Sequence, residues 1–88
     1  EAAALATMAL EDPVAAVRVN ALRELSSRPL AKAERMRAAS GAITDPDAEV
    51  RRLAYGLFLE LSSPDVIQGR LPAMLADPDT GIRTIGVR

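Results

Sequence analysis

Asp45-Pro46-Asp47-Ala48-Glu49-Val50-Arg51-Arg52-Leu53-Ala54 is the run that decides the fold, because the chain contains it in three versions. Asp12-Pro13-Val14-Ala15-Ala16-Val17-Arg18-Val19-Asn20-Ala21 stands before it, and Asp77-Pro78-Asp79-Thr80-Gly81-Ile82-Arg83-Thr84-Ile85-Gly86 follows. The shared pattern is D-P-x-x-x-[VI]-R-x-x-[AG], and its Asp residues stand 33 and then 32 residues apart. With this composition, a chance match to the specified positions is on the order of 10⁻⁵ per starting point, so the period is a property of the chain.

Each unit reads as two helices joined at the Asp-Pro. Asp suits an N-cap and Pro suits the first helical position, where the amide has no partner in any case. Behind the Asp-Pro, apolar residues recur at helical spacing: Val14, Val17, Ala21 and Leu25, then Val50, Ala54, Leu57, Phe58 and Leu61. Ahead of it lie the stripes Ala6, Ala9 and Leu10, then Ala39, Ala42 and Ile43, then Leu71, Met74 and Leu75. The serines at 26–27 and 62–63, each followed by a Pro, read as helix ends and caps. The predicted helices span 2–11, 13–26, 30–44, 46–62, 65–76 and 78–88. In the fifth, Gly69 and Pro72 predict a short turn at 65–68 and a proper helix only from Leu71. The expected core includes Val17, Ala21, Leu25, Val50, Ala54, Phe58, Ile82, Leu10, Ile43 and Leu75. No alternating strand pattern or hairpin turn is present.

The D-P-x-x-x-V-R-x-x-A core, with the preceding Leu71-Pro72-Ala73-Met74-Leu75-Ala76 run, resembles the HEAT-like family in its short bacterial, phycobilisome-lyase-type form. Gly81 and Gly86 depart from that pattern, as does the long interval between Ser62 and Leu71. The resemblance implies an all-α fold: an α-solenoid of about three helix pairs in a right-handed stack. The repeats would fall at about 1–28, 29–63 and 64–88. Repeat arrays bury their core between neighbours and need polar caps. None is apparent here, so the expectation is a segment of a longer array, with Leu5, Met8, Ile85 and Val87 exposed in isolation.

Composition narrows the function. With 49% apolar and 26% charged residues the chain is suited to a folded core. It has no Cys and no His, which excludes disulfides, thiolate nucleophiles, Ser-His triads and the usual zinc ligands. One Tyr, one Phe and a net charge of −1 argue against a nucleic-acid partner. No run approaches the length of a membrane span. No catalytic, cofactor or metal site is expected.

Two sets of residues recur at fixed places. Asp12, Asp45 and Asp77 read as helix caps, with Asp47 and Asp79 favourably placed in the first turn. Arg18, Arg51 and Arg83 follow the capping Asp by six residues and are expected to pair with Asp in a ladder. The favoured partner is in a neighbouring unit, Arg51 with Asp12 or Arg18 with Asp45. The rows Val19, Arg52, Thr84 and Arg23, Gly56, Arg88 point away from the apolar stripe, with Leu53 and Leu59 nearby. Val19, Arg23, Arg52, Thr84 and Arg88 are therefore the candidate partner-binding residues. The expected partner is another protein or further repeats of the same chain, bound without chemistry. The resemblance implies one alternative, the HEAT-like portion of a bilin lyase or related chromophore-handling protein.

Overall fold

The computed structural model describes residues 2–28 and 31–86. It contains six helices: α1 (Ala2–Glu11), α2 (Ala15–Ser26), α3 (Lys32–Ala42), α4 (Ala48–Leu61), α5 (Pro64–Leu75) and α6 (Thr80–Gly86). No strand occurs among the described residues. Consecutive helices pack as pairs, α1 on α2, α3 on α4 and α5 on α6. Across the pairs, α1 meets α3, while α2, α4 and α6 form a continuous row.

Small residues set the spacing. Ala6 and Ala9 of α1, Ala21 of α2, Ala38, Ala39 and Ala42 of α3 and Ala54 of α4 are all buried. With so little side chain between them, helix axes can approach closely. Gly41 extends the same logic: a Cβ there would come within 2.5 Å of Leu10 Cδ2, so α1 occupies the space a side chain would need. Bulk comes from Leu22, Leu25, Val50, Met74 and Ile82, each buried almost completely and each worth about 1.5–3 kcal/mol of transfer free energy.

The helices opened by Asp-Pro begin two residues later than the pattern predicts. Asp12, Asp45 and Asp77 accept from the amides of Val14, Asp47 and Asp79, two residues on, at 2.8–2.9 Å. That bond closes an Asx-turn with the Pro at its corner. The helix cap is the residue after the turn. Asp47 accepts from the amides of Glu49 and Val50, and Asp79 from that of Ile82. Val14 holds the same place before α2 and makes no side-chain cap bond, which leaves its apolar side chain exposed.

The fifth helix also differs from expectation. It runs unbroken from Pro64 to Leu75. Ser63 caps it by accepting from Val66 N, and Pro64 stands at its start. Pro72 removes one bond, to the carbonyl of Gln68, at a place where both residues are exposed and water can replace it. Most of α5 is exposed and only Met74 is buried. Leu75, expected in the core, is exposed, and Val17 and Leu10 are half-buried. The other expected core residues are buried. Of the residues expected to be exposed, Met8 is exposed, Leu5 and Ile85 are half-buried, and Val87 lies outside the described residues.

Candidate functional site

The recurrent Asp and Arg form one connected hydrogen-bond ladder. Arg18 donates from Nε and Nη2 to the two carboxylate oxygens of Asp45, at 2.8 and 3.0 Å. Its Nη1 donates back to the carbonyl of Asp12 at 2.7 Å. Arg51 repeats this one unit later: Nε and Nη2 meet Asp77 at 3.0 Å each, and Nη1 reaches the carbonyl of Asp45 at 2.9 Å. The planar guanidinium suits this task, since its fork matches a carboxylate while a third donor remains for the carbonyl. Arg51 therefore reaches forward to Asp77 and makes no contact with Asp12. A helical Arg at this position has its own turn behind it and the following unit's turn beside it.

Both pairs are largely removed from water, with side-chain exposures of 11% and 7% for Arg18 and Asp45 and 13% and 8% for Arg51 and Asp77. The hydrogen bonds from Arg51, with a smaller contribution from the Asp79 amide, hold the Asp77 carboxyl below its ordinary range. The same pairing raises the Arg51 guanidinium, as the Asp45 bond raises Arg18. Burial pushes the Tyr55 phenol up.

A more exposed set of ion pairs runs beside the ladder. Arg23 of α2 meets Glu49 of α4 at 3.1 Å, and Arg52 of α4 meets Asp79 at 3.4 Å. Two of the candidate binding residues are thus tied across helices, although both remain exposed. Thr84 is exposed and its hydroxyl donates to the Thr80 carbonyl. Val19 does not belong with them: it is 5% exposed and lies in the core. The face of α2 that contacts both α1 and α4 is broader than a single stripe, so the residue after Arg18 is covered. Arg88 lies outside the described residues.

Gly56 has a positional role in this surface. A Cβ built on it meets nothing within 4 Å, and the missing side chain leaves a groove of about 290 Å³ lined by Ser26, Arg52, Leu53, Gly56, Leu57 and Glu60. Its floor is apolar, and Arg52, Glu60 and Ser26 supply polar groups. A second groove, of about 300 Å³ and mainly apolar, lies between α4, α5 and α6, with Leu59, Ile67, Leu71, Met74 and Ile85 around it. Arg70 of α5 sits 6.0 Å from the centre of the Phe58 ring near the same junction.

Sequence reasoning missed Arg35. Its Nη2 donates to Glu60 at 2.8 Å across α3 and α4, and its side chain is buried. The signal was present: Arg35, Ala38, Ala39 and Ala42 share the i, i+3, i+4, i+7 spacing of one helix face. Among the described residues no cluster of three His, Cys, Asp or Glu could hold a metal ion, and no helix is long and apolar enough to cross a membrane. No protein-family model, curated protein or solved structure matches this chain.

Proposed function

We propose that the chain is a short α-solenoid segment of HEAT-like repeats that acts as a non-catalytic scaffold for another protein. The supporting observation is one hydrogen-bond set that occurs three times. In each unit the Asp carboxylate accepts from the amide two residues on, and the Arg donates to the carbonyl six residues back. Such a set gives successive helix pairs a common register. The outer side of α4 displays Arg52 and Glu60 in fixed positions, since each is ion-paired to a neighbouring element, Arg52 with Asp79 and Glu60 with Arg35. The groove over Gly56 is the docking surface in this reading, with Leu53 and Leu57 as its apolar floor and Arg52 and Glu60 orienting the partner.

Affinity capture from a cell lysate tests it, with four baits: the parent chain, Gly56→Glu, Arg52→Glu and Gly69→Glu. Gly69 also faces open space, on α5, outside the groove. A protein held by the parent and by Gly69→Glu but lost with Gly56→Glu and Arg52→Glu supports the assignment. Equal capture by all four baits, or none by the parent, overturns it.

A further inference from the structure

The groove over Gly56 carries opposite charges at its two ends. Arg52 and Glu60 stand eight residues apart on α4, about 12 Å along its axis at the helical rise of 1.5 Å per residue. Each is ion-paired through only part of its polar head. Arg52 Nε lies 3.4 Å from Asp79, and among the described residues its Nη1 and Nη2 make no hydrogen bond. Glu60 Oε2 accepts from Arg35 Nη2 at 2.8 Å, and among the described residues its Oε1 accepts from no donor. Their side chains are 49% and 63% exposed. The ion pairs hold the two heads in place, and the unused donors and acceptor remain open to a partner.

Between those charges the row Arg52, Gly56, Glu60 has no side chain at its middle, where a Cβ would meet nothing within 4 Å. Leu53 and Leu57, from the adjacent row, lie beneath that space. The helix α4 packs against both α2 and α6 in the row, so the opening comes from Gly56 itself. In the commonest class of helix packing, an i, i+4, i+8 ridge of one helix lies along the same kind of row on the other. A helix docked here in that way sets one of its own residues opposite each of Arg52, Gly56 and Glu60.

We propose, resting on the reading of this groove as a docking surface, that its partner is an amphipathic helix of another protein with an acidic, a large apolar and a basic residue at i, i+4 and i+8. The acid meets the free Nη groups of Arg52, the apolar side chain fills the space over Gly56, and the base meets Oε1 of Glu60. Either chain direction satisfies the contact. A second copy of this chain does not supply such a row. Among the described helices, opposite charges eight residues apart occur only as Arg52 and Glu60 themselves, with glycine between them. A partner row with two like charges meets repulsion at one end, so the groove selects by charge as well as by the central apolar residue.

Fluorescence anisotropy tests it with labelled Ala-rich peptides of about 20 residues, a length that supports an isolated helix. The first carries Glu, Leu and Lys at i, i+4 and i+8, the second Lys, Leu and Lys, and the third Glu, Ala and Lys. The parent chain, titrated to about 1 mM, is expected to bind the first about tenfold more tightly than either of the others. Added salt should narrow the gap between the first and second. Arg52→Glu should reverse the order of those two, because both ends of its groove are then acidic. Gly56→Phe fills the space and should remove binding of all three. Circular dichroism checks that the variants remain helical, and Gly56→Leu takes the place of Gly56→Phe if the larger ring lowers helicity. Equal binding of the three peptides, binding of none, or an order that Arg52→Glu leaves unchanged overturns the proposal. Failure of the peptides while a lysate protein is still lost with Gly56→Glu would reject this partner helix and leave the groove standing as a docking surface.

Discussion

Ile43 and Leu75 hold the same place in their units, two residues before the Asp of the turn. Ile43 is 4% exposed and Leu75 is 46% exposed. The difference comes from neighbours rather than from hydropathy. The helix before Ile43 packs on α1, α2 and α4, whereas α5 packs chiefly on α6. The first two pairs therefore share a core in which Ala-rich surfaces meet closely, and the third attaches through α6, the Arg51–Asp77 pair and the Arg70–Phe58 contact. One sequence pattern thus yields helices of unequal standing, because in a layered helical structure burial belongs to the interface and not to the single element.

The strongest challenge to this contrast is a buried charge. Ala54→Asp places a carboxylate at a fully buried position between packed helices and is expected to cost more than about 4 kcal/mol, enough to unfold the chain. Ala73→Asp on exposed α5 should stay within about 0.5 kcal/mol of the parent. Thermal melts by circular dichroism compare the two, and equal losses would erase the distinction between the regions.

Side-chain truncation sharpens it. Leu22→Ala in the shared core is expected to lose about 3 kcal/mol, while Leu71→Ala, half-buried on α5, should lose about 1 kcal/mol. Urea unfolding midpoints measure both.

The ladder itself supplies the third comparison. Asp77→Ala removes a carboxylate that accepts two guanidinium bonds and one amide bond, and should cost about 2 kcal/mol. Asp12→Ala removes one exposed turn bond and should cost about 0.5–1 kcal/mol. The pH dependence has a definite sign. The Asp77 carboxyl is held below its ordinary value in the folded chain, so its contribution is present above the unfolded value of about 3.9 and is lost as pH falls through the lower folded value. Arg51→Gln should flatten that acid limb in stability-versus-pH measurements. An unchanged limb would mean that the pair contributes nothing to it.

The smallest expected effect is a gain. Gly56→Ala and Gly69→Ala put a methyl group into open space on helices and should each stabilise by about 0.5–1 kcal/mol. The same change at Gly41 meets Leu10 and should lose that gain unless Leu10 shifts. The three melting temperatures rank the sites directly.

How legible the chain was can be judged from particular residues. The three Asp-Pro turns, the number of helices and most core positions were readable, because turn chemistry and helical periodicity are local and each turn's Asp accepts from its own chain two residues on. The capping role of Asp47 and Asp79 was harder to see. An Asp-Pro start and an Asx-turn ahead of a cap share the same letters, and only backbone geometry separates them. The continuity of α5 through Pro72 was misread because the cost of a missing amide depends on whether water reaches the freed carbonyl.

Sequence alone determined the repeat, the helical composition and the residues of the ladder, since periodic spacing places like residues on like faces whatever surrounds them. Tertiary structure decided which Asp each Arg grips, that Val19 lies inside, that Arg35 crosses to Glu60 and that Gly56 opens a groove. These depend on which helix comes to lie beside which, at distances of a few ångströms. Residues about 25 positions apart in the chain meet there, as Arg35 and Glu60 do, and no local pattern specifies their approach.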